Sequence, residues 1–194
     1  MFAICSFLQS CQKEDIPQLS FIGDSIVEVW DVQEYFPSYY TKNYGRSSTG
    51  TGYIIEHSGQ FMGKDLVVLT GGNDMEAVME QMEGAGPSGQ DVVMKDYTYY
   101  YVQTINGLQA RRVYLYSLLP LGEGQGEDVD ERNQLVVQLN AFISQEALKR
   151  GWVYINAYTP LLKDNRLNPE FSRDGRHLNR HGYDVLAQLL RQHL

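Results

Sequence analysis

Beyond residue 11 the chain has no cysteine. Its two thiols, Cys5 and Cys11, both fall in the opening segment, so the body of the protein has neither a disulfide nor thiol chemistry. It also lacks any cluster of lysine or arginine. With a formal net charge of −8, nothing offsets the repulsion of a phosphate backbone, which argues against a nucleic-acid partner. No run is apolar for long enough to span a bilayer: the opening MFAICSFLQSC is too short, and it lacks the basic start of a complete signal peptide. There is no internal repeat and no interdomain linker. What remains is 194 residues with 43% hydrophobic and 21% charged content, the composition of one globular domain with a substantial core. Fourteen tyrosines are many for this length; sheet propensity and ordinary packing account for most, and some could line a site.

Four apolar, β-branched or aromatic runs read as buried strands: QLSFIG, LVVLTGG, RRVYLYSLLP and WVYINAYTP. YTKNYG, ending at Gly45, is a fainter fifth. Helix-like segments lie between them. SIVEVWDVQEYF follows the first strand, and GQDVVMKDYTYYYVQTINGLQ precedes RRVYLYSLLP. DVDERNQLVVQLNAFISQEALKR places Leu135, Leu139, Phe142 and Ile143 on one helix face and stops at Gly151. NRHGYDVLAQLLRQHL closes the chain as another amphipathic helix. Strands alternating with helices imply a parallel sheet with helices on both faces, and sites in such sheets form at the carboxyl ends of the strands. Ser25, Gly45 and Asn73 each follow a candidate strand at that edge. Two loop-like insertions, GAGPSG and LGEGQGED, are expected to rim it.

Each of these positions has an ordinary reading. Gly23-Asp24-Ser25 is a turn whose Asp or Ser caps the next helix, and NYGRSSTG and LTGGNDM hold common turn residues. Each also has a chemical reading. A serine at a strand-to-helix junction exposes its hydroxyl, a Gly-Gly pair lets backbone approach closely, and Asn73 offers an amide donor. In SRDGRHLNRHGY, Asp174 and His177 lie three residues apart, so one short loop can supply a base and the carboxylate that holds its tautomer. His177 and His181 also have the i, i+4 spacing of a helical metal pair, but no Glu stands beside His177 and no third ligand is evident. No metal and no cofactor is expected.

Gly-Asp-Ser near the start, Gly45, Gly-Gly-Asn-Asp, and Asp-x-x-His before the last helix occur in one order. In this the chain resembles the GDSL-type esterases and lipases of the SGNH hydrolase superfamily, from about Leu19 to the C-terminus. The resemblance implies a three-layer sandwich with a flavodoxin-like, mostly parallel five-stranded sheet. It further implies a serine esterase in which Ser25 is the nucleophile, His177 the general base and Asp174 its orienting partner. The oxyanion hole would be the N–H groups of Ser25 and Gly45 with the side-chain amide of Asn73. Ile26 stands where the family usually has leucine, and Arg46 where smaller or apolar residues are common. The Gly-x-Ser-x-Gly elbow of the α/β-hydrolases is absent, because Val27 occupies its last position.

Within that resemblance the chain is similar to the small carbohydrate-esterase and platelet-activating-factor-acetylhydrolase-like branches. It implies a short acyl group, acetyl foremost, on a carbohydrate. The rivals are a lysophospholipase and a catalytically silent carbohydrate-binding protein of the same fold. Tyr44, Arg46, Asp74 and Met75 are expected to wall the substrate site, a mostly polar set suited to hydroxyls. At the start, Leu8-Gln9-Ser10-Cys11 resembles a bacterial lipoprotein cleavage box, against an apolar strand or tail as the ordinary reading. On this reading Met1 lies inside a longer signal sequence, residues 1–18 are signal remnant and tether, and 19–194 are the hydrolase domain. Cys11 would carry a lipid that holds the protein in a bacterial cell envelope, with the active edge close to the membrane surface.

Overall fold

The computed structural model describes residues 16–194; Cys5, Cys11 and the expected cleavage box lie outside the described residues. Five parallel strands form one sheet in the order β2-β1-β3-β4-β5: β1 (Gln18–Gly23), β2 (Tyr40–Gly45), β3 (Asp65–Leu69), β4 (Arg112–Tyr116) and β5 (Val153–Ile155). Helices cover both faces, as the alternation predicts. Because strand side chains alternate, each central strand feeds two cores. Phe21, Val67, Leu69, Tyr114 and Tyr116 pack on one face, against α1 (Ser25–Glu28), α2 (Val32–Tyr35) and α7 (Arg180–Arg191). Ile22, Leu66, Val68, Val113 and Leu115 pack on the other, against α3 (Thr51–Ile55), α4 (Met75–Ala85), α5 (Gln90–Gly107) and α6 (Val129–Lys149). A two-residue-per-strand hairpin, β6 (Leu162–Lys163) and β7 (Arg166–Leu167), follows β5. No helix among the described residues is long and apolar enough to cross a membrane.

Two local features differ from the sequence pattern, and a third, LGEGQGED, meets it. SIVEVWDVQEYF is two one-turn helices, broken at Asp31, which caps α2 by accepting from the Glu34 N–H at 3.1 Å. Two carbonyls at the break, besides accepting from backbone, are braced by Asn43, whose Nδ2 donates to Val27 O at 2.7 Å and Trp30 O at 3.1 Å. MEAVMEQMEGA forms α4, and GAGPSG belongs to its end and the connection to α5. LGEGQGED precedes α6 and braces the Asp174 loop: Gly122 N–H donates to Gly175 O at 2.6 Å, and Gln125 Nε2 to Asp174 O at 2.8 Å.

Candidate active site

β1 ends where its backbone runs closest to β3. A Cβ on Gly23 would lie 1.8 Å from Leu69 O, so only glycine lets the chain turn there. Asp24 follows, 4% exposed, and caps α1 by accepting from the Ile26 N–H at 2.9 Å. Burial pushes its carboxyl up to about 6, against the opposing pull of the Ile26 N–H and the charge of Arg176. Ser25 is thereby the first residue of α1, half-buried at the carboxyl edge of the sheet, and its N–H has no partner among the described residues.

Ser25 Oγ stands 3.1 Å from His177 Nε2, and His177 Nδ1 stands 2.7 Å from Asp174 Oδ2. With Nδ1–H donated to the carboxylate, Nε2 is left to accept the serine proton. The loop holding the pair is tightly laced. Asp174 Oδ1 accepts from the backbone N–H groups of Arg176 at 2.9 Å and His177 at 2.7 Å. Ser172 Oγ accepts from the Gly175 N–H at 2.8 Å and donates to His177 O at 3.2 Å. Partial desolvation works to raise the Asp174 carboxyl, but these N–H groups and the imidazole outweigh it and hold it down at about 2.

Asn73 enters from the loop after β3. Its Nδ2 donates to Thr49 O at 2.7 Å, and its Oδ1 accepts from the Arg176 guanidinium. One amide N–H is left over. Gly45 has a different employment from the one expected: its N–H donates to Asn43 Oδ1 at 2.8 Å, and a Cβ there would lie 2.1 Å from Glu28 N, so the residue serves the packing of β2 on α1. In the turn beyond β2 the N–H groups of Ser48, Thr49 and Gly50 have no partner among the described residues, and Ser48, exposed, is held at φ +59.

Above Ser25 lies a cavity of about 40 Å³ lined by Ile26, Leu69, Leu118, Leu119, Pro120 and Leu121, with Asp24, Thr70, Gly72, Asn73 and Arg176 adding polar groups. Its wall is apolar, supplied chiefly by SLLPL after β4. The four residues expected there are elsewhere. Tyr44 packs against Phe61 and His57, and Met75 is 2% exposed in the core. Arg46 lies over the Tyr53 ring in solvent. Asp74 accepts from Thr51 Oγ1 at 2.5 Å and Tyr97 OH at 2.9 Å, fixing the start of α3. Neither glycine-rich insertion contributes to the wall beyond Leu121. A larger groove of about 730 Å³ opens between α6 and the β6–β7 hairpin, but it contains none of Ser25, Asp174 and His177.

The model of the GDSL-like lipase/acylhydrolase family matches residues 21–185, which carry every one of these groups. The chain belongs to that family. Solved structures agree with the fold of this GDSL-like acylhydrolase. A Streptococcus pneumonia protein named for platelet activating factor is 24% identical, with a TM-score of 0.70 over 94% of this chain and 86% of its own. A GDSL-like lipase from Bacteroides thetaiotaomicron is 22% identical, with a TM-score of 0.68 over 91% and 86%. An acetylxylan esterase from Geobacillus stearothermophilus is 17% identical, with a TM-score of 0.65 over 91% and 94%. No match was found among curated protein sequences.

In this GDSL-like acylhydrolase the structure brings Ser25, His177 and Asp174 together from residues 152 apart, with Asn73 beside them. His181 instead sits in the first turn of α7, 4.0 Å from Asp184. Sequence reasoning missed Arg176, and it missed the Leu118–Leu121 wall. The signal for the wall was present as Asn133 and Asn140, two asparagines on the apolar face of α6. They grip the backbone of Leu121 and Leu118, each accepting from the N–H at 2.8 Å and donating to the carbonyl at 2.9 and 3.0 Å.

Proposed function

We propose that the protein is a serine esterase acting on short acyl esters, acetyl foremost, carried on carbohydrates. The observation that supports the reaction most directly is the hydrogen-bonded chain Ser25 Oγ–His177–Asp174. Ser25 Oγ bonds to the ester carbonyl carbon as its proton passes to Nε2. That proton then leaves on the departing alcohol; water, giving a proton to the same nitrogen, adds to the acyl carbon, and the proton returns to Ser25 Oγ as its bond to the acid breaks. Asp174, ionised throughout the working pH range, keeps the imidazole in the tautomer that accepts at Nε2. The developing oxyanion is met by the Ser25 N–H and the spare N–H of Asn73. The Ser48 N–H takes the place expected of Gly45.

The acyl preference rests on size. A cavity of about 40 Å³ is a few times the roughly 10–15 Å³ that one water molecule needs on the same measure, room for a short acyl group. Its apolar wall suits a methyl group. The carbohydrate is supported by the likeness to a protein that is an acetylxylan esterase.

A p-nitrophenyl ester series from acetate to palmitate tests both parts. Specificity is expected to peak at acetate or butyrate, and Ser25→Ala is expected to reduce hydrolysis to background with the melting curve unchanged. A rise toward octanoate favours the lysophospholipase, and full activity in Ser25→Ala removes the nucleophile. We further propose a lipid on Cys11 and residence in a bacterial cell envelope, supported by the cleavage-box pattern alone.

A further inference from the structure

Arg176 is a half-buried cation in a mostly apolar cavity; Asp24 in the same cavity feels its charge, but among the described residues no carboxylate lies within ion-pairing distance of it. Leaving water costs a charged group free energy unless it is hydrogen-bonded, so its placement asks for a reason. Its guanidinium donates to Asn73 Oδ1, across 103 residues of sequence. Its own backbone N–H donates to Asp174 Oδ1 at 2.9 Å. One residue therefore touches both the carboxylate behind His177 and the amide beside Ser25.

We infer that Arg176 is the positioning residue that fixes which way round the Asn73 amide sits. An asparagine amide has an accepting and a donating end of nearly the same shape. Guanidinium can only donate, so it holds the Oδ1 end toward itself, while Thr49 O, which can only accept, holds the Nδ2 end at 2.7 Å. Together they leave the second Nδ2 proton for the substrate oxyanion. With the Arg176 side chain gone, only the Thr49 contact opposes a rotated amide that would present a lone pair to the developing negative charge. The inference rests on Asn73 being an oxyanion donor. The backbone contact to Asp174 survives any substitution at 176 other than proline, so a side-chain variant isolates the clamp.

The test compares Arg176→Met, Arg176→Lys, Asn73→Ala and the double variant Arg176→Met/Asn73→Ala on p-nitrophenyl acetate. It adds NMR of the protein labelled with ¹⁵N in asparagine side chains. Asn73→Ala is expected to lower kcat by about a hundred- to a thousandfold. Arg176→Met should lower kcat by roughly tenfold with little change in KM, as expected for a contact that matters only in the transition state. Arg176→Lys should recover part of the loss. The double variant should be no slower than Asn73→Ala, because the clamp has nothing left to hold. The Asn73 amide protons should exchange faster with water in Arg176→Met. Wild-type kcat or unchanged exchange in Arg176→Met overturns the inference, as do losses that multiply in the double variant, which would place Arg176 on the substrate. Wild-type kcat in Asn73→Ala overturns the oxyanion reading itself, and with it the catalytic purpose of the clamp.

Discussion

Asp24 is held in place by a hydrogen bond that favours its charge and by burial that opposes it. It caps α1 through the Ile26 N–H, yet burial lifts its carboxyl to about 6 from 3.8. Between those pH values the folded protein binds a proton that the unfolded chain has released. The associated stability is fully present below the lower value and is lost as pH rises through the upper one. Asp24→Asn keeps a good cap and removes the titration. The variant is expected to gain stability relative to the native protein at pH 7.5, by up to about 3 kcal/mol, and to show little gain at pH 4. Thermal unfolding at the two pH values decides it; an equal difference at both would sink the assignment. Asp174 works in the opposite direction. Its carboxyl is held at about 2, so what its ionisation contributes is present above 3.8 and fades only as pH falls through 2. Two aspartates flanking one site thus titrate in separate windows.

Among the elements, α6 does more for the site than its distance in sequence suggests. Asn133 and Asn140 are seven residues apart, which at 3.6 residues per turn puts them on one face, and both are buried. They replace the strand partners that Leu118 and Leu121 lose when the chain leaves β4. Removing such a side chain leaves a buried N–H and C=O unpaired, which typically costs about 1–3 kcal/mol. Asn133→Ala is therefore expected to lower Tm by several degrees, at roughly 2–4 °C per kcal/mol for a chain of this size. Val137→Ala, on the exposed side of the same helix, should change it little. Equal melting of all three proteins would show that the asparagines do not hold the wall. The central strands are legible in sequence because burial on both faces makes each an unbroken apolar run. β2 is faint because it is an edge strand with an exposed, polar face. α4 escaped notice because just two of its residues, Met75 and Val78, are buried. The α1–α2 break falls at Asp31, the cap of α2, and is braced by Asn43 from β2, a contact that no local pattern announces.

Over the whole molecule, the groups that share a short segment were readable and those joined only by folding were not. Asp174 and His177 sit in one loop, and Ser25 closes a strand. Arg176 meets Asn73 through the tertiary structure alone, and Gly45 lost its expected part to a neighbour's side chain. The lipid proposed for Cys11 is tested by fractionation: Cys11→Ser, expressed from the full reading frame, is expected to leave the membrane fraction, and an unmodified mature N-terminus by mass spectrometry would refute the anchor. If the anchor is present, its direction of attachment matters. The described chain enters β1 at Gln18, and Ser25 lies beyond the other end of that strand, roughly 20 Å away at about 3.3 Å per residue. The tether thus joins the sheet at its amino edge, opposite the catalytic one. An anchor on Cys11 would therefore pull on the sheet from the edge away from Ser25, which departs from the expectation of an active edge close to the membrane surface.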